Sequence, residues 1–347
     1  MKKSLLCIIT VVAASFGAES QAEEIVNRAM LGMFQPLPDS IENPKNPFND
    51  AKLQLGQQLF FDRRLSLDHT ISCHSCHSLK LYGQTGTSFP TGISDQKPGR
   101  NSPTVFNAAI HIAQFWDGRE PDVEAQAKGP ILAGAEMGMP SGDYAVKVLK
   151  SIPGYVDLFK KAFPDSKDSL TYDNVGNAIG AYERKLMTPS RFDDFLKGDD
   201  SALSDAEKKG LNTFISTGCT TCHNGMGVGG HLFQKLGLVK AWPNLKDKGR
   251  SEVTGKEVDK FYFKVPSLRN ITETSPYLHD GSVKELDVMV KKMAEYQLGR
   301  MISDEDTQSI VTFLKSLKGD LPKDLIKRPE LPKSGPDTPK PKEYIVK

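Results

Sequence analysis

Two five-residue runs, Cys73-His74-Ser75-Cys76-His77 and Cys219-Thr220-Thr221-Cys222-His223, constrain this chain more than anything else in it. On a helical turn, two thiols three apart and an imidazole one step further project to the same side. That is the geometry of covalent c-type haem attachment, with two thioethers to the porphyrin vinyls and the histidine as proximal iron ligand. A Cys₂His₂ zinc site shared by the runs, a pair of disulfides and a thioredoxin-like redox pair are the alternatives. Repetition of the complete run favours one covalent haem c at each. A shared zinc ion would require ligands to converge from two distant segments.

A length of 347 residues argues for two domains, because a single core rarely grows beyond about 250 to 300 residues. Residues 1–22 read as a signal peptide: Lys2 and Lys3, an apolar run from Leu5 to Phe16, then Ser20-Gln21-Ala22 as a small-x-small cleavage site. Cleavage after Ala22 and export to the periplasm follow, and Cys7 leaves with the signal. The four remaining cysteines all lie in the two runs, so none is left for a disulfide. No other stretch is long and apolar enough to anchor the chain in a membrane. Loss of Lys2, Lys3 and Glu19 lowers the formal charge from +2 to +1, which leaves no electrostatic footprint for nucleic acid.

The helical pattern is duplicated. Pro47 to Phe61 reads as an amphipathic helix with Leu53, Gly56, Leu59 and Phe60 on one face. Before the second run, Ser204-Asp205-Ala206-Glu207 is a capping box, followed by Gly210, Leu211, Phe214 and Ile215 on the apolar face. A glycine four residues before a phenylalanine recurs in both, a degenerate internal repeat. Val175, Ile179, Tyr182 and Leu186 predict a helix that stops before Pro189. Ile310, Phe313, Leu314 and Leu317 predict another between the Ser303 cap and Gly319. Each unit is thus helix, haem run, loops and closing helix. The expected fold is mostly α, two cytochrome c-like helical domains (residues 23–188 and 189–322) with long loop insertions, and a Pro- and Lys-rich extended tail at 323–347. Phe261 to Val265 is the only clear alternating strand signal. The Gly- and Pro-rich segment from Leu81 to Gly142 is long enough to be functional.

The sixth ligand of each iron decides between electron transfer and catalysis: a thioether blocks small ligands, an open face admits peroxide. Downstream of His223 the thioether candidates are Met226, Met289, Met293 and Met301, each of which also suits a core position. For the first haem, His111, Met137 and Met139 are the nearest options, and His111, which follows an apolar pair, reads better as a hydrogen-bonded core residue. Trp116, in Phe115-Trp116-Asp117-Gly118-Arg119, suits either packing or an electron path between redox centres. Gln126 and Glu136 flank Gly129-Pro130. An amide there suits hydrogen bonding to a bound ligand, and a carboxylate suits moving a peroxide proton from one oxygen to the other; Glu136 also reads as a solvated loop residue.

Together, Cys73 to His77, Arg100 to Asn107 (RNSPTVFN), Gln114 to Arg119, Glu124-Ala125-Gln126-Ala127, Glu136-Met137-Gly138, Cys219 to His223, Pro276 to Gly281 (PYLHDG) and Met293 to Gly299 resemble the bacterial di-haem cytochrome c peroxidase family, which also includes the di-haem maturation enzyme of methylamine dehydrogenase. The resemblance spans nearly the whole mature chain. It implies that His77 is the proximal ligand of a low-potential, peroxidatic haem and that His223 and Met293 ligate a high-potential haem that receives electrons. It further implies Trp116 between the haems, Gln126 and Glu136 in the peroxide pocket, and a Ca²⁺ held by Asn101, Thr274 and the Pro276 carbonyl, with waters completing six to eight oxygens. Met293 favours peroxidase over the maturation enzyme, where a tyrosine takes that role. Many members carry a distal histidine in the loop before the Asn-Ser-Pro-Thr motif; here Ile93 or Ser94 stands in its place, and neither ligates haem well. The first haem is therefore expected five-coordinate or water-bound when oxidised.

The reaction so implied is reduction of hydrogen peroxide to water with electrons from a small periplasmic cytochrome c or cupredoxin, in a homodimer. An oxidising di-haem enzyme acting on a protein or organic substrate, and a non-catalytic di-haem electron carrier, remain the rivals.

Overall fold

The computed structural model describes residues 26–342, so the expected signal peptide lies outside the described residues. Helices dominate, and the sheet is a single antiparallel pair in which Phe233–Lys235 faces Tyr262–Lys264. The alternating signal around Phe261 to Val265 is therefore a real strand, shortened to three residues.

Two helix crossings organise the chain. Asp50–Phe61 packs across Tyr172–Glu183, and Asp205–Thr217 packs across Asp304–Lys315. The repeated glycine sits at each crossing. A Cβ on Gly56 would stand 2.0 Å from the Ala178 carbonyl oxygen, and one on Gly210 would stand 2.1 Å from that of Ser309. Four residues beyond each glycine, Phe60 meets Tyr182 edge-on at 5.5 Å and Phe214 meets Phe313 at 5.3 Å. The glycine-to-phenylalanine spacing is thus one helical turn of a close-packed contact, used twice.

The first helix starts at Asp50 rather than Pro47, because the Asn49 side chain accepts from the Lys52 N–H and caps it there. Its buried face is Leu55, Gly56, Leu59 and Phe60, while Leu53 is only half-buried. The Ser204 box forms as read, with Ser204 N–H donating to Glu207 Oε2 at 2.9 Å. Leu186 and Leu317 lie just past the ends of their helices yet are fully buried.

Each crossing nucleates its own core. The chain ends are exchanged between them. Val26, Leu31 and Phe34 pack into the second core, while residues 321–342 return along the first. The tail has no core of its own: Gln57 and Gln58 donate to its backbone carbonyls, and Lys342 N–H donates to Leu67 O. At the joint, Thr188 Oγ1 accepts from both Asn107 Nδ2 and Asn270 Nδ2, each at 2.8 Å. Both asparagines are left-handed (φ 60° each), a conformation asparagine tolerates, and both close the loop that follows a proximal-histidine segment.

Gly210→Ala must displace a helix carbonyl rather than a flexible side chain, so it is expected to destabilise the protein by about 1–3 kcal/mol. A drop in the urea midpoint at unchanged slope checks this; a midpoint equal to wild type would remove the glycine from its structural role.

Candidate functional site

The two histidine runs follow the first helix of each crossing. Cys73–Cys76 forms a single helical turn, and Cys219–Thr221 a 3₁₀ turn directly after the left-handed Gly218 cap. All four thiols are free and half-buried, so the disulfide alternative is not realised. Burial pushes the Cys76 and Cys219 thiols up to about 12, which makes them poor zinc thiolates without a further partner. Among the described residues no three His, Cys, Asp or Glu side chains converge on a metal position.

Both imidazoles are oriented in the same way. His77 Nδ1 donates to Gly83 O at 3.2 Å, and His223 Nδ1 donates to Val228 O at 3.3 Å. A carbonyl on Nδ1 fixes the tautomer and leaves Nε2 as a lone-pair donor, the arrangement an axial histidine needs. Burial holds His223 neutral, with its pKa pushed down to about 4. Free thiol pairs beside tautomer-fixed imidazoles fit covalent haem c at both runs.

Beside the second run lies a cavity with about 1690 Å³ of empty space, open to solvent and walled mostly by apolar side chains. Cys219, Cys222 and His223 lie on one wall and Met293, from the Leu286–Leu298 helix, on another. Of the other methionines, Met289 lines the cavity but packs with Tyr277 and Val283, and Met301 is 86% exposed. Trp116, Asn101, Thr274 and Pro276 line the same cavity. The Trp116 indole donates to the Asn101 carbonyl at 3.0 Å, and the Asn101 amide donates to Thr87 O and Ser88 O. Asn101, Thr274 and Pro276 present only neutral oxygens, the weaker kind of calcium ligand.

Glu136 belongs to the first run's surroundings, close enough to act electrostatically on Cys73 and Cys76. Its carboxylate accepts no hydrogen bond from any described residue. Burial raises its pKa, opposed by the Arg119 guanidinium. Its loop is pinned to that of Ile93: Ile93 N–H donates to Glu136 O at 2.9 Å, and a Cβ on Gly92 would stand 1.9 Å from Ala135 O. Ile93 is fully buried and Ser94 exposed. Gln126 ends a short helix, Val123–Gln126, whose Glu124 forms a buried two-pronged pair with Arg184 at 2.7 and 2.8 Å. That pair ties the Gln126 turn to the first crossing. Met137 and Met139 are buried in the first core.

His111 has the hydrogen-bond partner expected of a core residue, and it lies beside the second cavity. Ile112 N–H donates to Gly230 O, which carries His111 to the second cavity, where Lys264 Nζ lies 3.0 Å from its Nδ1. Sequence reading also passed over Glu183 and Lys264. Their types suggest solvated positions, and only the alternation of Tyr262-Phe263-Lys264 against the sheet hinted that one face of that strand is covered. Glu183 is 4% exposed, and burial, reinforced by Glu124, pushes its carboxyl up to about 8.

The description "Di-haem cytochrome c peroxidase" matches residues 50–201. The chain is 41% identical to the cytochrome c551 peroxidase of Pseudomonas aeruginosa, over 99% of this chain and all of that one. It is 43% identical to the cytochrome c551 peroxidase of Nitrosomonas europaea, over 86% and 88% of the two chains. The methylamine utilization protein MauG of Methylorubrum extorquens is 33% identical over 82% and 83%. Among solved structures, a MauG-like protein associated with microbial copper homeostasis superposes with a TM-score of 0.74 at 26% identity, covering 84% of this chain and 95% of that one.

Glu183 makes stability pH-dependent. The unfolded carboxyl ionises near 4.5 while the folded one keeps its proton to about 8, so stability falls as pH rises through that window. Glu183→Gln is expected to gain on wild type between pH 5 and pH 8 by up to a few kcal/mol, at about 1.4 kcal/mol per pKa unit. Thermal unfolding at both pH values measures it; an equal difference at the two would refute the assignment.

Proposed function

Because the chain belongs to the di-haem cytochrome c peroxidase family and is an enzyme of the cytochrome c peroxidase type, we propose that it reduces hydrogen peroxide to water at a haem on His77, with electrons entering through a haem on His223 and Met293. The observation that carries this reading is the Glu136 carboxyl, whose affinity for a proton burial raises, free of hydrogen-bond partners among the described residues, and set against the first Cys-x-x-Cys turn.

The bound haem supplies the iron at which peroxide is reduced by two electrons. The protein's part is to hold and move protons. Glu136 takes the proton of the inner peroxide oxygen and returns it to the outer one, which then leaves as water. Gln126, held by the Glu124–Arg184 pair, orients the peroxide through its amide. Ile93, pinned beside Glu136 by its own backbone, leaves no ligating atom at the position where relatives place histidine, so the site is open to peroxide in the oxidised enzyme without prior reduction. Trp116, fixed by Asn101 O and by the Lys264 N–H on its own carbonyl, is a rigid aromatic on the path between the two runs. Calcium on Asn101, Thr274 and Pro276 would stiffen the same wall.

The donor is a small cytochrome c or cupredoxin. Leu238, Val239 and Met301 are exposed at 48, 63 and 86% around the Gly299 turn, next to Leu236, Gln297 and Leu298 of the second cavity, and form an apolar landing site for it. The chain carries a cleavable signal at 1–22, acts in the periplasm and works as a homodimer in this reading. Among the described residues no helix is long and apolar enough to cross a membrane.

Glu136→Gln is expected to lower kcat/KM for peroxide by about 10²–10⁴-fold while leaving the KM for reduced cytochrome unchanged. Activity equal to wild type removes Glu136 from the acid–base role, and absence of turnover in wild type favours the electron-carrier rival. Electron paramagnetic resonance of the fully ferric protein is expected to contain a high-spin or water-ligated signal from the His77 haem. A purely low-spin spectrum from that haem overturns the open-site reading.

A further inference from the structure

Lys264 is 6% exposed, lies on the wall of the second cavity and has no carboxylate within ion-pair distance among the described residues. Asp117, the acid that acts on it electrostatically, is already engaged by Arg100 and Arg119. The one close partner of its ammonium is His111 Nδ1, at 3.0 Å. By donating to Nδ1, Lys264 puts the imidazole proton on Nε2. His111 Nε2 is buried and has no partner at all, and His111 lines the same cavity. Both residues thus line the space shared with Cys219, Cys222 and His223, and among the described residues neither an anion for Lys264 nor an acceptor for His111 Nε2 is present. A buried ammonium without a counter-charge and a buried N–H without an acceptor are each costly.

We propose that Lys264 and His111 form the binding site for a propionate carboxylate of the haem attached at Cys219 and Cys222. This rests on the covalent-haem reading of that run. The haem ring itself is apolar, and its two propionates are the only anionic acceptors it brings into the cavity. Docking one of them here supplies the charge that Lys264 lacks and the acceptor that His111 Nε2 lacks. It also sets the ring's rotation in the cavity, with the propionate edge toward the strand whose Lys264 N–H holds the Trp116 carbonyl at 2.8 Å. A carboxylate or halide from solution has the same chemistry, and the two sources differ in whether the haem's own vibrations report the contact.

Lys264→Met, Lys264→Arg and His111→Phe, each as the haem-loaded full chain, test the site. The readouts are haem content per chain, the propionate-bending bands in resonance Raman, and the reduction potential of the second haem. With two haems retained, Lys264→Met is expected to shift the second haem's propionate band and lower its potential, since an unpaired propionate disfavours the reduced iron. At fixed poise the reduced-to-oxidised ratio should fall about tenfold, equivalent to about 59 mV for one electron. Lys264→Arg restores the wild-type values, His111→Phe shifts the band with a smaller change in potential, and the first haem is unaffected. If Lys264→Met does not fold, His111→Phe carries the test through the same band. A wild-type band and potential in either folded, fully loaded variant overturns the proposal, as does a wild-type potential that responds to added chloride or formate. A wild-type chain whose mass shows no haem on Cys219 and Cys222 overturns the underlying reading instead.

Discussion

Everything in this protein hangs on two helix crossings in which a glycine lets a carbonyl of the opposing helix approach to the distance a Cβ would occupy. Each histidine run is tethered to the C-terminal end of the glycine-bearing helix, so the crossing fixes where the thiols are presented. The tethers differ. In the second unit only Gly218 intervenes, and its left-handed φ of 97° turns the chain directly into Cys219. In the first, residues 62–72 intervene, anchored by Asp62, whose carboxylate accepts from Tyr155 Oη and Arg64. One packing solution thus carries two attachment turns with different local freedom.

The crossings are in turn locked to each other. Thr188 Oγ1 receives an amide from each half, and the exchanged ends of the described chain cover the core of the opposite unit. Such a joint resists relative rotation, because moving one unit breaks buried hydrogen bonds that water cannot replace. Electron transfer between two centres depends on a fixed separation. The buried asparagines Asn107 and Asn270 both contribute to this rigidity.

Much of this was legible, and the reason is locality. The two runs, the Ser204 box and the Ser303 cap are determined by residues within one or two turns, and each formed where the sequence put it. The Gly56–Phe60 and Gly210–Phe214 spacing was visible as a repeat, but its meaning lay in Ala178 and Ser309, more than ninety residues away. His111 reads from the sequence as a hydrogen-bonded core residue, but which core it joins is not a local property. A single backbone hydrogen bond to Gly230 takes it to the second cavity. Lys264 and Glu183 escaped because a charged side chain on an amphipathic element reads as solvated; only the opposing surface reveals that it is not.

Those hidden charges give the two sites different chemistry from the same motif. Apart from the imidazoles of its own motif, which burial lowers as it does His223, the first run has the carboxyls Glu136 and Glu183 beside it, and desolvation raises both, Glu183 to about 8. Around the second stand nitrogen bases, His223, His111 and Lys264, and the same desolvation lowers them. Reductive cleavage of peroxide consumes protons, so a pocket of retained acids suits it. A centre that only passes electrons gains nothing from nearby acids, and donors that stabilise anionic groups suit its surroundings better. Burial is the common cause in both halves, and the residue types it acts on are what distinguish them.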